Sequence, residues 1–95
     1  MDIEFVIDGM LSGTGVRDAV KGGYVDPTAL GLSEGLTRSI ASWQARYEEA
    51  HFDGFPEAIV SKLDTEGRAL ALKVGKELPD AVVGYFSNGR MERLI

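Results

Sequence analysis

The stretch SEGLTRSIASWQARYEEAH, Ser33–His51, decides the fold. Leu36, Ile40, Trp43 and Tyr47 recur at steps of four, three and four, which places them on one stripe of a helix. Arg38, Ser42, Gln44, Arg46, Glu48 and Glu49 fall mostly on the other faces. Ser33 is a natural N-cap, and Glu34 behind it complements the helix dipole. Immediately upstream, Asp26-Pro27-Thr28-Ala29-Leu30-Gly31 reads as one short helical turn. Asp26 caps it, Pro27 occupies the first helical position, and Gly31 ends it at positive φ.

Downstream, Phe52-Asp53-Gly54-Phe55-Pro56 closes the main helix and reverses the chain. Pro56 and Glu57 then suit a new helix start. Ile59, Leu63, Leu70, Val74 and Leu78 predict a second amphipathic helix running to about Glu77, with a break near Asp64-Thr65 as the alternative. Gly67 lies on or near that stripe, where a missing side chain lets the helix approach a bulky residue, Trp43 being the expected one. Two helices joined by so short a turn make an αα-hairpin.

The flanks read as strands. From Asp2 to Asp8, Ile3, Phe5 and Ile7 alternate with Asp2, Glu4 and Asp8, the pattern of a half-buried strand; Val6 interrupts its polar face. Pro79 stops the second helix. Ala81 to Ser87 is rich in Val, Tyr and Phe, and Asn88-Gly89 before Arg90–Ile95 predicts a hairpin with a two-residue type I′ turn. Gly9 to Gly23 holds five glycines without a sustained period, and is expected to be a loop. The expected architecture is a two-layer α+β domain of order β-α-α-β-β, with the αα-hairpin packed on a small, mainly antiparallel sheet. Three strands would leave both sheet edges open, so a homodimer paired through a sheet edge is expected.

Ninety-five residues make one domain, residues 1–95. The chain has no cysteine, which rules out disulfides and thiolate metal sites and fits a reducing, cytoplasmic setting. The acidic N-terminus is unlike a secretory leader, and no apolar run is long enough to span a membrane. A formal charge of -5 opposes nucleic-acid binding through phosphate contacts and suits a basic protein partner.

No motif specifies a reaction, and no cofactor or metal is expected. Gly13-Thr14-Gly15 follows a strand, but Asp18 stands where a dinucleotide fingerprint needs its third glycine, and no Gly-Lys-Ser/Thr is present. Glu48-x-x-His51 has the spacing of half a di-iron site but lacks a second copy; His51 at a helix C-terminus is electrostatically favoured without any metal. None of Ser12, Ser33, Ser39, Ser42, Ser61 and Ser87 sits in a Gly-x-Ser-x-Gly elbow. Glu48, Glu49, Asp53 and Glu57 gather around the turn between the helices, with Asp64 and Glu66 further along. This acidic group is the candidate docking surface for a basic partner. Tyr85 and Phe86 point to opposite faces of one strand; whichever faces outward joins Val6 and Met91 in an apolar patch.

Several segments together carry a resemblance: Val25-Asp26-Pro27 through Tyr47-Glu48, then Glu66-Gly67-Arg68-Ala69-Leu70-Ala71, Glu77-Leu78 and Val83-Gly84-Tyr85. From residue 25 onward the chain resembles a loose group of small acidic bacterial proteins, mostly of unassigned function. They share a Leu-Ser-x-x-Leu helix start, a Trp and Tyr-Glu on that helix, and Glu-Gly-x-x-Leu-Ala on the next. Some are similar to immunity partners of secreted toxins. The resemblance implies no catalytic residue. Together these readings predict a non-enzymatic interaction protein, immunity-like or adaptor-like; the alternative is a small ligand-binding domain or enzyme using the Gly-rich loop 9–23.

Overall fold

The computed structural model describes residues 3–95; Asp2, expected to open the first strand, lies outside them. Strands β1 (Glu4–Asp8) and β2 (Gly15–Asp18) precede a short 3-10 turn, Pro27–Leu30. Helices α1 (Glu34–Phe52) and α2 (Glu57–Glu77) follow, then strands β3 (Val82–Ser87) and β4 (Glu92–Arg93). Two antiparallel helices cover one face of a four-stranded mixed sheet of order β2-β1-β3-β4. The α+β, two-layer architecture is the one the sequence predicts.

Local chemistry sets the helix starts. Asp26 accepts the Thr28 amide (3.0 Å), and Gly31 closes the 3-10 turn at φ 73°. Ser33 Oγ accepts the Leu36 amide (3.4 Å), capping α1. Glu77 at the end of α2 accepts both the Ser33 N–H (2.6 Å) and the Ser33 hydroxyl (2.7 Å), so the start of one helix is tied to the end of the other. Helix α2 runs unbroken, and Asp64 is inside it rather than at a cap. Its buried stripe is Val60, Leu63, Asp64, Gly67, Leu70, Ala71 and Val74. Ile59, expected on that stripe, is exposed, and Val60 takes the inward position.

Leu36, Ile40, Trp43, Tyr47 and Ala50 of α1 meet this stripe over Phe5, Ile7, Val16 and Tyr85 of the sheet. Trp43 packs edge-on against Tyr47 and Tyr85, with ring centroids 5.4 and 5.9 Å away. A Cβ at Gly67 would lie 2.2 Å from Tyr85 Cε1 and 2.9 Å from Trp43 Cζ2. The close approach that the glycine permits is therefore to Tyr85 first and Trp43 second.

The expected loop and the expected tight turn are corrected. The stretch 9–23 is not all loop: Gly15–Asp18 forms β2, antiparallel to β1, giving four strands instead of three. The sheet is mainly antiparallel, as expected, and the long connection through both helices makes the β1–β3 pair its one parallel ladder among the described residues, with Glu4 opposite Val82 and Asp8 opposite Phe86. Asn88-Gly89 does not form a two-residue type I′ turn; residues 88–91 separate β3 from β4, and Met91, not Gly89, takes positive φ (54°). Asn88 and Gly89 are drawn inward by contacts described below, which a tight I′ turn at the hairpin tip would forgo.

The helix-free face of the sheet is closed by its own side chains. Arg17 pairs with Asp8 (3.0 Å), and Arg93 pairs with Glu4 (2.8 Å). Arg93 reaches Glu4 across Gly84, whose added Cβ would be 2.5 Å from Arg93 Nη2. Val6, in register between Arg17 and Gly84, is only 1% exposed, so it does not join an outer apolar patch. The outer edge of β2 is covered by the returning chain, where Asp18 N–H donates to Gly23 and Val25 N–H to Val16, both at 2.9 Å. That leaves the two-residue β4 as the open edge of the sheet.

Candidate functional site

Two groups of polar residues stand out, one sealed and one open. The sealed group forms where the carboxyl ends of the parallel strands β1 and β3 meet the middle of both helices. Asp64 is 2% exposed and accepts from Tyr85 Oη (2.5 Å), Tyr47 Oη (2.9 Å) and Ser87 Oγ (2.8 Å). Arg90 Nε lies 3.3 Å from the same carboxylate, and Arg90 Nη2 reaches Glu57 at 2.9 Å. The acceptor side is filled as well: Tyr47 Oη receives the Gly89 N–H (3.0 Å), and Ser87 Oγ receives the Arg90 N–H (3.2 Å). Burial pushes the Tyr47 and Tyr85 phenols up, so both stay protonated donors to Asp64.

On the opposite face of the sheet, Asp8 makes a second buried node. It accepts the Met10 N–H (3.0 Å), the Arg17 Nε–H (3.0 Å) and the Asn88 side-chain amide. Burial, and then the nearby Asp8 carboxylate, push Tyr24 up to about 12. Asn88 thus joins the Asp8 node while its neighbour Gly89 joins the Asp64 node.

The open group lies at the turn between the helices. Arg46, Glu49 and Ala50 of α1 and its C-cap Asp53 face Ala58, Ile59, Lys62 and Leu63 of α2 across a groove with an apolar floor. Glu49 and Asp53 are exposed, and neither carboxylate has a hydrogen-bond partner among the described residues. Arg46 is held by Glu66 through two bonds of 2.7 and 2.6 Å, which hold the Glu66 carboxyl below its ordinary pKa and push the Arg46 guanidinium above its own. Phe52, one residue before Asp53, is 79% exposed.

The structure therefore divides the predicted acidic group. Glu49 and Asp53 line the groove, whereas Glu48 accepts the Ser12 N–H (2.8 Å) and Glu57 is paired with Arg90. Asp64 does not belong to a surface patch at all: it falls on the buried stripe, one residue after Leu63 and three before Gly67. That position was a signal available in the sequence. The contributions of Ser87 and Arg90 had none, since they arise from tertiary contact.

The chemical constellations considered above can be placed in the same way. His51 donates Nε2–H to the Gly9 carbonyl (2.9 Å) and packs edge-on against Phe55 at 4.7 Å. Ser87 has a carboxylate neighbour in Asp64, while His51 is engaged elsewhere. No cluster of three metal-ligating His, Asp or Glu side chains occurs among the described residues. In the Gly-rich stretch, Gly15 opens a strand rather than a helix. Asp18 accepts the Val20 and Lys21 N–H groups at 2.9 Å, bonds that hold its carboxyl below the ordinary range.

Comparison of the chain with protein-family models, with curated proteins and with solved structures finds no match. No helix among the described residues is long and apolar enough to cross a membrane.

Proposed function

We propose that this is a non-enzymatic interaction protein that docks a basic protein partner on the groove at the turn of the helix hairpin. One observation carries the reading. The Asp64 carboxylate, which gathers three hydroxyl groups, is buried and saturated with hydrogen bonds, whereas Glu49 and Asp53 stand open on an apolar-floored groove. Open carboxylates beside apolar surface are suited to steering and then holding a cationic protein. Glu48 and Glu57 flank the groove and contribute to its negative field from their existing contacts. The apolar floor and exposed Phe52 supply surface for the docked partner to cover.

The net charge of -5 supports the same partner chemistry. An immunity-like or adaptor-like role, as the resemblance implies, is the physiological form of this proposal, and a cysteine-free chain suits work in the cytoplasm. Use of residues 9–23 for ligand binding or catalysis is the weaker reading, because β2 and the Asp18 turn already engage that stretch.

The test is capture from a lysate of the cells that encode the protein, using the parent chain and an E49K/D53K variant side by side at low and moderate salt. A basic protein retained in stoichiometric amount by the parent, and lost with salt and with the variant, is the expected result. If no basic protein is retained, or the variant retains it equally well, the proposal fails.

A further inference from the structure

Asn88 is the one asparagine in the chain, and it is followed by glycine. In an open chain this pair is chemically labile, because glycine offers no side chain to hinder attack by its own amide nitrogen. Here the pair is clamped from two sides. Asn88 is 1% exposed and donates its side-chain N–H to Asp8, while the Gly89 N–H donates to Tyr47 Oη at 3.0 Å. Gly89 is pressed against α2, where an added Cβ would lie 2.6 Å from Val60 Cγ1.

We propose that Asn88-Gly89 is a fold-gated modification site: it deamidates when the β3–β4 connection opens, and the product cannot reclose. In the reaction the Gly89 nitrogen attacks Asn88 Cγ. The N–Cγ bond forms, the Cγ–Nδ2 bond breaks, and ammonia leaves carrying the former Gly89 amide proton. Water then opens the resulting succinimide. Its hydroxyl adds to one of the two ring carbonyls and its remaining proton returns to the Gly89 nitrogen, giving aspartate or isoaspartate at position 88.

The fold blocks the first step at both atoms it requires. The attacking nitrogen has its proton committed to Tyr47, and the leaving nitrogen is held by Asp8. Attack therefore requires residues 88–91 to leave these contacts, a local opening with its own free energy. The product meets a different obstacle. A carboxylate at position 88 replaces a donor with an acceptor directly against the buried Asp8 carboxylate, setting two like charges together away from water. Isoaspartate adds a backbone methylene where Gly89 and Val60 leave no room.

The experiment incubates the full chain at mildly alkaline pH, once folded and once in concentrated urea, and follows residue 88 by peptide mass. Asp8-Gly9 and Asp53-Gly54 isomerise without a change of mass, so they do not confuse the readout. Deamidation at Asn88 at least about tenfold slower in the folded chain is expected, reflecting the opening equilibrium. Chain deamidated in urea is then returned to native buffer and melted beside parent protein carried through a brief urea exposure. The deamidated chain is expected to melt lower and to be cut by protease within residues 88–95. Equal rates in the two states overturn the gating, and a deamidated chain with the parent Tm and protease resistance overturns the block to reclosure.

Discussion

Asp64 and Asp53 belong to the same helix hairpin, yet the structure uses their carboxylates in opposite ways. Asp64 sits under two tyrosines, a serine and an arginine, with its charge turned wholly inward. Asp53 lies at the C-terminal end of α1, wet, on a groove that none of the described residues fills. A buried carboxylate surrounded by donors serves the uniqueness of one packing arrangement. An exposed one without a donor contributes little to folding and so can serve recognition. The contrast separates what holds this molecule together from what it offers to another.

The sharpest way to break the contrast is to remove each carboxylate in turn. Asp64→Ala leaves the buried hydroxyl groups of Tyr47, Tyr85 and Ser87 without their shared acceptor and is expected to cost about 3–5 kcal/mol in urea unfolding. Asp53→Ala is expected to stay within about 0.5 kcal/mol of the parent. Equal losses would show that the two sites do not differ as described.

A glycine pair on α2 probes the packing around the sealed cluster. Gly67→Ala drives a methyl into the Tyr85 ring and is expected to destabilise by about 1–3 kcal/mol, despite its better helix propensity. Gly75→Ala meets nothing within 4 Å and is expected to stabilise by about 0.5–1 kcal/mol through propensity alone. Thermal melts of the two variants should therefore move in opposite directions.

Alkaline pH tests the buried phenols together. Tyr24, Tyr47 and Tyr85 all have raised values in the folded chain, Tyr24 to about 12. Their protonated forms are bound more tightly in the folded than in the unfolded state. The stability they contribute is present below about pH 10, the unfolded value, and is lost as pH rises through the folded values. Unfolding free energy should fall from about pH 10 upward, and Tyr24→Phe should make that fall shallower between 10 and 12. The smallest expected effect on stability belongs to E49K/D53K. Its melting curve should overlay that of the parent within about 0.5 kcal/mol even as partner capture is lost.

Much of the helical layer was legible because capping chemistry is local. Ser33, Asp26 and Gly31 announce their roles within a few residues, and the Leu36–Tyr47 stripe needs no knowledge of its partner. The sheet was less legible. Gly13 and Gly15 imply a loop by composition, yet Gly15 opens β2, close enough to α1 that a Cβ would be 2.7 Å from Ile40 Cγ2. Asn88-Gly89 matched the local signal for a tight turn, but Asp8 and Tyr47, far away in sequence, recruit it to a wider connection. The acidic group at the helix turn was visible as a cluster. Its division into paired and open members depended on Arg90 and Ser12 arriving from elsewhere.

The pairing of β1 with β3 also sets an order of events during synthesis. Glu4–Asp8 leaves the ribosome well before its parallel neighbour Val82–Ser87, which emerges only after both helices have been made. The hairpin of β1 and β2 can form early, and it must then wait with one strand edge bare while the helices assemble beside it. Phe5-Val6-Ile7 is the kind of apolar run that joins other nascent chains in such an interval, and Glu4 and Asp8 bracket it with charge. The two acids that anchor Arg93 and Arg17 in the finished sheet thus also set charge on either side of that run, which disfavours its pairing with another chain before the last strand arrives.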